Sequence, residues 1–183
     1  MRVIAGSAKG TRLGPVPRGV RPVSDRAREG LFSSLSGVVA GARVLDLYAG
    51  VGSLGIEALS RGAERAVFVE RSRAAIRALR DNLERTRQSA RADVVAADAV
   101  RFVTGNDEVP GAFGLVLADP PYEEPAERVD ALLAGLARGW LGGGWCVALT
   151  RRTGSSTPVI PVDWLISRSL EYGDTAVLIF REA

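Results

Sequence analysis

Hydrophobic and polar positions along this chain change rhythm near residue 43. Beyond it, short apolar runs recur, each followed by a glycine or polar turn and then an amphipathic stretch. Val44-Leu45-Asp46-Leu47-Tyr48, Ala66-Val67-Phe68-Val69-Glu70, Asp93-Val94-Val95-Ala96-Ala97-Asp98, Phe113-Gly114-Leu115-Val116-Leu117-Ala118 and Trp145-Cys146-Val147-Ala148-Leu149 are nearly continuous in apolar residues. That is the pattern of strands covered on both faces in a parallel sheet, rather than the alternation of a sheet with one wet face. The stretches between them read as helices. One follows a glycine turn and runs to about Ser60, and a second is capped by Ser72 with the stripe Ile76, Leu79 and Leu83. A short one covers 100–103, and another covers 126–138 with Val129, Leu132, Leu133 and Leu136 inward. Gly142-Gly143-Gly144 reads as a turn before the fifth strand. Residues 164–171 and 176–180, joined by Tyr172-Gly173-Asp174-Thr175, form a closing antiparallel hairpin. The sum is an α/β, doubly wound, mostly parallel seven-stranded sheet with a C-terminal antiparallel hairpin.

The first forty residues follow another pattern. Residues 1–13 alternate weakly around Ser7-Ala8-Lys9-Gly10, as a short hairpin does, and 14–19 are a proline- and glycine-broken loop. Ser24 is placed as a helix N-cap, followed by Ala27, Leu31 and Leu35 on one face with Phe32 beside them. Arg26 and Arg28 are expected off that stripe. Residues 1–40 are thus read as a hairpin-plus-helix extension of a domain spanning 41–183. Charge sharpens the division: residues 1–30 hold seven bases against two acids, a net of +5, while the whole chain carries +3 and the other 153 residues therefore −2. A basic extension on a faintly acidic body suggests a polyanion partner held by that end.

The composition contains no His and one Cys. Ser-His-Asp and Cys-His catalysis are excluded, a zinc or other metal site is not expected, and no intrachain disulfide can form. Cys146 is expected as a small buried hydrophobe. No apolar run approaches a membrane span and no signal pattern opens the chain, so a cytoplasmic location is expected.

Two turns carry the candidate chemistry. In Ala118-Asp119-Pro120-Pro121-Tyr122 the prolines end the fourth strand and lock an extended turn, leaving carbonyls that no ladder absorbs. Those acceptors beside the flat ring of Tyr122 make a holder for a planar base with an exocyclic amine. The second turn, Gly50-x-Gly52-x-x-Gly55 between a strand and a helix, with Glu70 twenty residues beyond Gly50, has the dinucleotide fingerprint. The fingerprint alone leaves NAD and S-adenosylmethionine as alternatives, with glycines kept only for packing as a third reading. Four successive strands end in a carboxylate, Asp46, Glu70, Asp98 and Asp119. Such a set repels a pyrophosphate and suits a sulfonium and an ammonium, with Asp46 and Asp119 at the cationic end, Glu70 at the ribose and Asp98 at the adenine amine.

On these residues the chain resembles a class I, Rossmann-like S-adenosylmethionine-dependent methyltransferase. Along nearly its whole length it resembles the RsmD family of bacterial 16S rRNA guanine-N2 methyltransferases. The resemblance rests on Arg2-Val3-Ile4-Ala5-Gly6, on Arg21-Pro22 with Asp25-Arg26 and Arg28-Glu29 before Leu31-Phe32, on residues 46–62, on Glu70, and on Asp119-Pro120-Pro121-Tyr122. Ser24 stands where Thr is expected, and Ala27 where a larger apolar residue is common. The resemblance implies methyl transfer to a guanine N2 amine in 16S rRNA. Small size and scarce recognition elements lead to the expectation of a base presented in the small ribosomal subunit or an assembly intermediate, and the lack of a leftover long apolar surface helix to that of a monomer. It implies a catalytic turn of Asp119, Pro120, Pro121 and Tyr122. It implies S-adenosylmethionine contacts from Asp46, Tyr48, Ala49, Gly50, Gly52, Leu54, Gly55, Glu70, Arg71, Asp98, Ala99 and Asp119. Lys9, Arg12, Arg18, Arg21, Arg26 and Arg28 are the candidates for RNA phosphates. Three other readings are weighed against it: an adenine-N6 or cytosine-N4 methyltransferase, an NAD-dependent oxidoreductase, and a silent rRNA-binding assembly factor with the same fold.

Overall fold

A computed structural model of the chain describes residues 1–17, 23–105 and 113–183. The parallel strands are β1 (Arg43–Leu47), β2 (Arg65–Glu70), β3 (Ala92–Ala96), β4 (Phe113–Ala118) and β5 (Leu141–Arg152). The hairpin strands are β6 (Trp164–Tyr172) and β7 (Thr175–Glu182). Together they form one seven-stranded sheet in the order β3-β2-β1-β4-β5-β7-β6, with β7 antiparallel to both its neighbours. The order reverses direction between β1 and β4, and the carboxyl ends of all five parallel strands share one edge there. A doubly wound sheet opens its ligand crevice at that switch point.

Successive strand residues serve opposite cores. Val44, Leu115 and Leu117 pack on the face covered by α1 (Asp25–Ser34), α2 (Ser53–Ser60) and α3 (Arg73–Arg85). Leu45, Leu47 and Val116 pack on the face covered by α4 (Ala99–Gly105) and α5 (Ala126–Leu136). Both faces being dry explains why the strands read as apolar runs. Cys146 is fully buried among them. The Gly142–Gly144 turn is corrected: β5 already begins at Leu141, and the glycines are taken up in an irregularity between the pairs Phe113–Leu141 and Leu115–Cys146.

The amino-terminal extension shares its core with the sheet. Val3, Leu13, Val23, Leu31, Phe32 and Leu35 lie in the same apolar cluster as Val44 and Leu115. The chain pairs with itself across Arg2 and Arg12, as the predicted hairpin requires, and is strapped to α2 by polar groups. The buried Glu57 carboxylate accepts the Ile4 and Ala5 amides at 2.7 and 3.0 Å, and Ser60 Oγ accepts the Ala8 amide at 2.9 Å. Gly6 has φ +82°, and a Cβ there would stand 1.8 Å from the Ser60 carbonyl oxygen, so the strap tolerates only glycine. Ser24 caps α1 through the Ala27 amide, as expected.

Candidate active site

The glycine turn leaves β1 through Tyr48, a non-glycine residue at φ 58°, and enters α2 through Gly52 at φ 83°. A bulky side chain in the left-handed region is uncommon and costs of order 1–3 kcal/mol, so surrounding contacts must hold it. Tyr48 is held by its hydroxyl, which donates to Glu124 Oε1 at 3.2 Å. Tyr48, Ala49, Gly50, Val51 and Ser53 then line one side of a cavity of about 630 Å³ at the carboxyl edge of the sheet.

Glu70 lines the same cavity, with its two oxygens accepting the Gly50 amide at 2.8 Å and the Ser72 amide at 2.7 Å. It therefore sits at the junction of the glycine turn and the start of α3. Arg71 and Ala99, both expected cofactor neighbours, also line the cavity.

Across the cavity, Asp119, Pro120, Pro121 and Tyr122 form the opposite wall. Asp119 accepts a hydrogen bond at Oδ1 from the hydroxyl of the buried Thr150 on β5, which sets the carboxylate's direction. Tyr122 donates through its hydroxyl to the Asp174 carbonyl at 3.2 Å and pairs with Thr175 Oγ1 at 3.0 Å. The proline turn is thereby tied to the β6–β7 connection, and Asp174 and Thr175 join the wall.

Gly52, Leu54, Gly55 and Asp46 form a layer beneath the turn rather than the wall itself. Asp46 is 1% exposed and accepts the Gly55 amide at Oδ2, 2.8 Å away. Burial pushes its carboxyl up to about 8; the Gly55 bond opposes this, and the nearby Asp119 and Glu70 reinforce it. A Cβ on Gly55 would stand 2.3 Å from the Phe68 ring and 2.8 Å from Asp46, so the close helix–strand contact needs glycine.

Asp98 also stands off the wall. It receives both hydrogen bonds of the Arg128 Nη2 group at 2.9 and 2.7 Å, and the Arg101 amide at 3.1 Å. Burial alone would raise its carboxyl, but these bonds and the Arg71 charge hold it below the ordinary range. Arg128 also donates through Nε to Glu124, so one guanidinium joins the exits of β3 and β4 and, through Glu124, Tyr48 at the exit of β1. Its pKa is raised by Glu124 first and Asp98 second.

The basic candidates divide. Lys9, Arg12 and Arg26 are exposed, and Val23 and Ser24 line the cavity, so the extension reaches the site. Arg18 and Arg21 lie outside the described residues. Arg28 is corrected: it is fully buried, with Nη2 donating to the Arg2 carbonyl and, at 2.9 Å, to Asp25. The N-terminal hairpin covers that flank of α1, so a position off the helical stripe is nonetheless inside. Burial lowers its pKa, with Asp25 and Glu57 opposing. Thr150, Thr175 and Arg128 carry no motif that sequence reading could have singled out; each gains its role from a neighbour at least thirty residues away.

A sheet of this order with a glycine turn after β1, an acid ending β2 and a proline-aromatic turn after β4 defines a class I methyltransferase architecture. The model of a family described as "Conserved hypothetical protein 95" matches residues 1–181. The chain belongs to that family, and the expected RsmD membership is borne out. It is 36% identical over 185 residues to "Putative rRNA methyltransferase YlbH" of Bacillus subtilis, covering 100% of this chain and 99% of that one. It is 35% identical over 187 residues to "Ribosomal RNA small subunit methyltransferase D" of Escherichia coli, covering 100% and 91%. A solved structure described as "Putative methyltransferase yhhF from Escherichia coli" superposes with a TM-score of 0.87 at 33% identity, covering 100% of this chain and 97% of that one.

Proposed function

We propose that this chain transfers a methyl group from S-adenosylmethionine to the N2 amine of a guanine in small-subunit ribosomal RNA. The observation that carries the reading is the meeting, in one cavity, of the glycine turn, Glu70 and the Asp119-Pro120-Pro121-Tyr122 turn. Family membership and the relatives' names support it.

The cavity fits the cofactor. Its volume of about 630 Å³ is of ligand-site size. Its acids, Glu70, Asp119, Glu123 and Asp174, suit hydroxyls and cations better than phosphates. The backbone of residues 48–51 and Glu70 would hold the nucleoside part, and Asp46 supports the turn from below through Gly55. When bound, the sulfonium cofactor supplies a methyl group that an amine nitrogen takes up with loss of a proton to water.

The chain's own residues prepare the amine. A guanine N2 lone pair is delocalised into the ring and makes a weak nucleophile. N–H donation to the Asp119 carboxylate and the Pro120 carbonyl favours a more pyramidal nitrogen with its lone pair free. The Tyr122 ring stacks on the base and fixes its angle. Alignment of this kind contributes effective molarities of ~10⁵ M or more, so no imidazole base is required. The base must leave its stack to enter, at a cost of roughly a few kcal/mol. Lys9, Arg12, Arg18, Arg21 and Arg26 meet phosphates; Arg28 does not. So few recognition elements favour a base presented by an assembling particle. Among the described residues no helix is long and apolar enough to cross a membrane.

The test is transfer of labelled methyl from S-adenosylmethionine to small subunits from a strain lacking the modification, followed by nucleoside analysis. Label in N2-methylguanosine is expected. Label in N6-methyladenosine or N4-methylcytidine would keep the pocket and overturn the substrate. No label with cofactor binding intact would overturn turnover on this particle.

A further inference from the structure

Building on that RNA-modifying reading, we infer that the outer face of α3 is a second RNA contact, a row of Arg73, Arg77 and Arg80 that grips substrate phosphates alongside the cavity. The row was unassigned by motif: the sequence pattern marks α3 as amphipathic, and its charged face would ordinarily be a solvated surface. Three structural observations set it apart.

The first is placement. Ser72 caps α3 by accepting the Ala75 amide at Oγ, and both Ser72 and Arg71 line the cavity. Arg73 therefore starts where the cavity wall ends. At 1.5 Å of rise per residue, Arg77 and Arg80 follow about 6 and 4.5 Å further along the axis, and spacings of four and three keep all three on one face.

The second is the absence of partners. Arg73, Arg77 and Arg80 are exposed, and among the described residues none of them makes an ion pair. Some arginines are committed, Arg61 to Glu57, Arg65 to Asp93, and Arg128 to Asp98 and Glu124, while others such as Arg101 and Arg138 are as open as these. The row differs in lining one helix face beside the cavity. The acids of α3, Asp81 four residues after Arg77 and Glu84 four after Arg80, make no ion pair with the row among the described residues. Glu84 stands one turn beyond Arg80 and ends it. Asp81 lies on the flank where Ala78 and Arg85 meet the Gly14–Pro17 loop in a shallow groove. No acid occupies the first turn of α3 to offset Arg73. Like charges one turn apart repel, and a cation at a helix N-terminus opposes the helix dipole. Phosphates laid along the row remove both penalties.

The third is continuity with the basic extension. α1, α3 and the N-terminal hairpin cover the same sheet face. The buried Asn82, on the inner side of α3, accepts the Gly14 amide at 2.7 Å and donates to the Val51 carbonyl at 2.9 Å. One side chain thus fixes the extension, the glycine turn and the arginine row relative to one another. In charge, residues 71–87 hold six arginines against Asp81 and Glu84, a net of +4. With the +5 of residues 1–30 they leave the rest of a +3 chain at −6, so the chain's net positive charge comes from these two segments.

The experiment compares wild type with Arg73→Gln/Arg77→Gln/Arg80→Gln. An equal-charge control, Arg65→Gln/Arg138→Gln/Arg168→Gln, removes exposed arginines from outside the α1–α3 layer. Binding to small subunits is measured across a salt series, with S-adenosylmethionine affinity and the melting temperature as checks on folding. The α3 variant is expected to lower the slope of log K against log salt by about 2, since each single-strand phosphate contact contributes roughly 0.7. Its KM for the particle should rise about tenfold or more, with cofactor affinity unchanged, while the control stays near wild type. A wild-type slope in the α3 variant, or an equal loss in the control, overturns the row as a contact. If wild type methylates the particle, that result leaves the proposed reaction standing; a wild type that neither binds nor methylates the particle overturns both.

Discussion

Asp46 offers a test of the site's electrostatics that needs no substrate. Its carboxyl is fully buried under the glycine turn and held at a pKa of about 8, chiefly by burial. In the unfolded chain the same group titrates near its ordinary value of about 3.9. Between those values the native state keeps a proton that the unfolded state has lost. Stability therefore falls as pH rises through this window, by about 1.4 kcal/mol per pH unit. Below about 4 both states are protonated and the penalty vanishes. The chain has no His, so the side chain that ordinarily titrates between pH 5 and 7 does not overlay the Asp46 slope. From pH 5 to pH 7 wild type should lose about 2–3 kcal/mol. Asp46→Asn keeps an oxygen for the Gly55 amide and cannot ionise, so its stability should be flat over the same range. Urea unfolding followed by fluorescence of the buried Trp140, Trp145 and Trp164 at pH 5, 6 and 7 measures both. A flat wild type, or a variant that keeps the slope, would refute the assignment of a buried, protonated Asp46.

Thr150→Val removes the hydroxyl that orients Asp119 while preserving shape. Turnover should fall about tenfold, of the order expected when a charged acceptor loses one hydrogen bond, and Thr150→Ser should restore it. Gly6→Ala places a methyl 1.8 Å from the Ser60 carbonyl oxygen at φ +82°, so thermal unfolding should show a loss of roughly 3 kcal/mol or more. An alanine variant that melts with wild type would mean that the N-terminal strap is not held as described. Arg28→Met should leave the salt dependence of RNA binding unchanged, because that guanidinium is buried against Arg2 and Asp25. A slope lowered by about 0.7 would return Arg28 to the RNA surface.

The pattern of residues alone determined much of this protein. Strands dry on both faces must be apolar throughout, so all five parallel strands were legible, as was the closing hairpin with its Gly173-Asp174 turn. The glycine and proline turns were legible because only those residues permit such backbones, and the expected site residues Tyr48, Glu70, Arg71, Ala99, Asp119 and Tyr122 do share one cavity. The three-glycine stretch misled, since a strand irregularity and a turn use the same residue.

What only the tertiary structure decided depends on who neighbours whom across the sheet. Ala118 lies opposite Leu149, and that register brings Thr150 to Asp119 across thirty-one positions of sequence. Likewise Asp98 is drawn to Arg128, and Asp46 lies beneath the turn instead of at its surface. Arg28 was counted with the solvent-facing bases because helical periodicity reports one buried face, and the N-terminal hairpin covers a second flank. Periodicity along a chain records how much of each element is buried; it carries no term for the partner that buries it, which is why the pattern put arginines on the outer face of α3 but only three dimensions put that face beside the cavity.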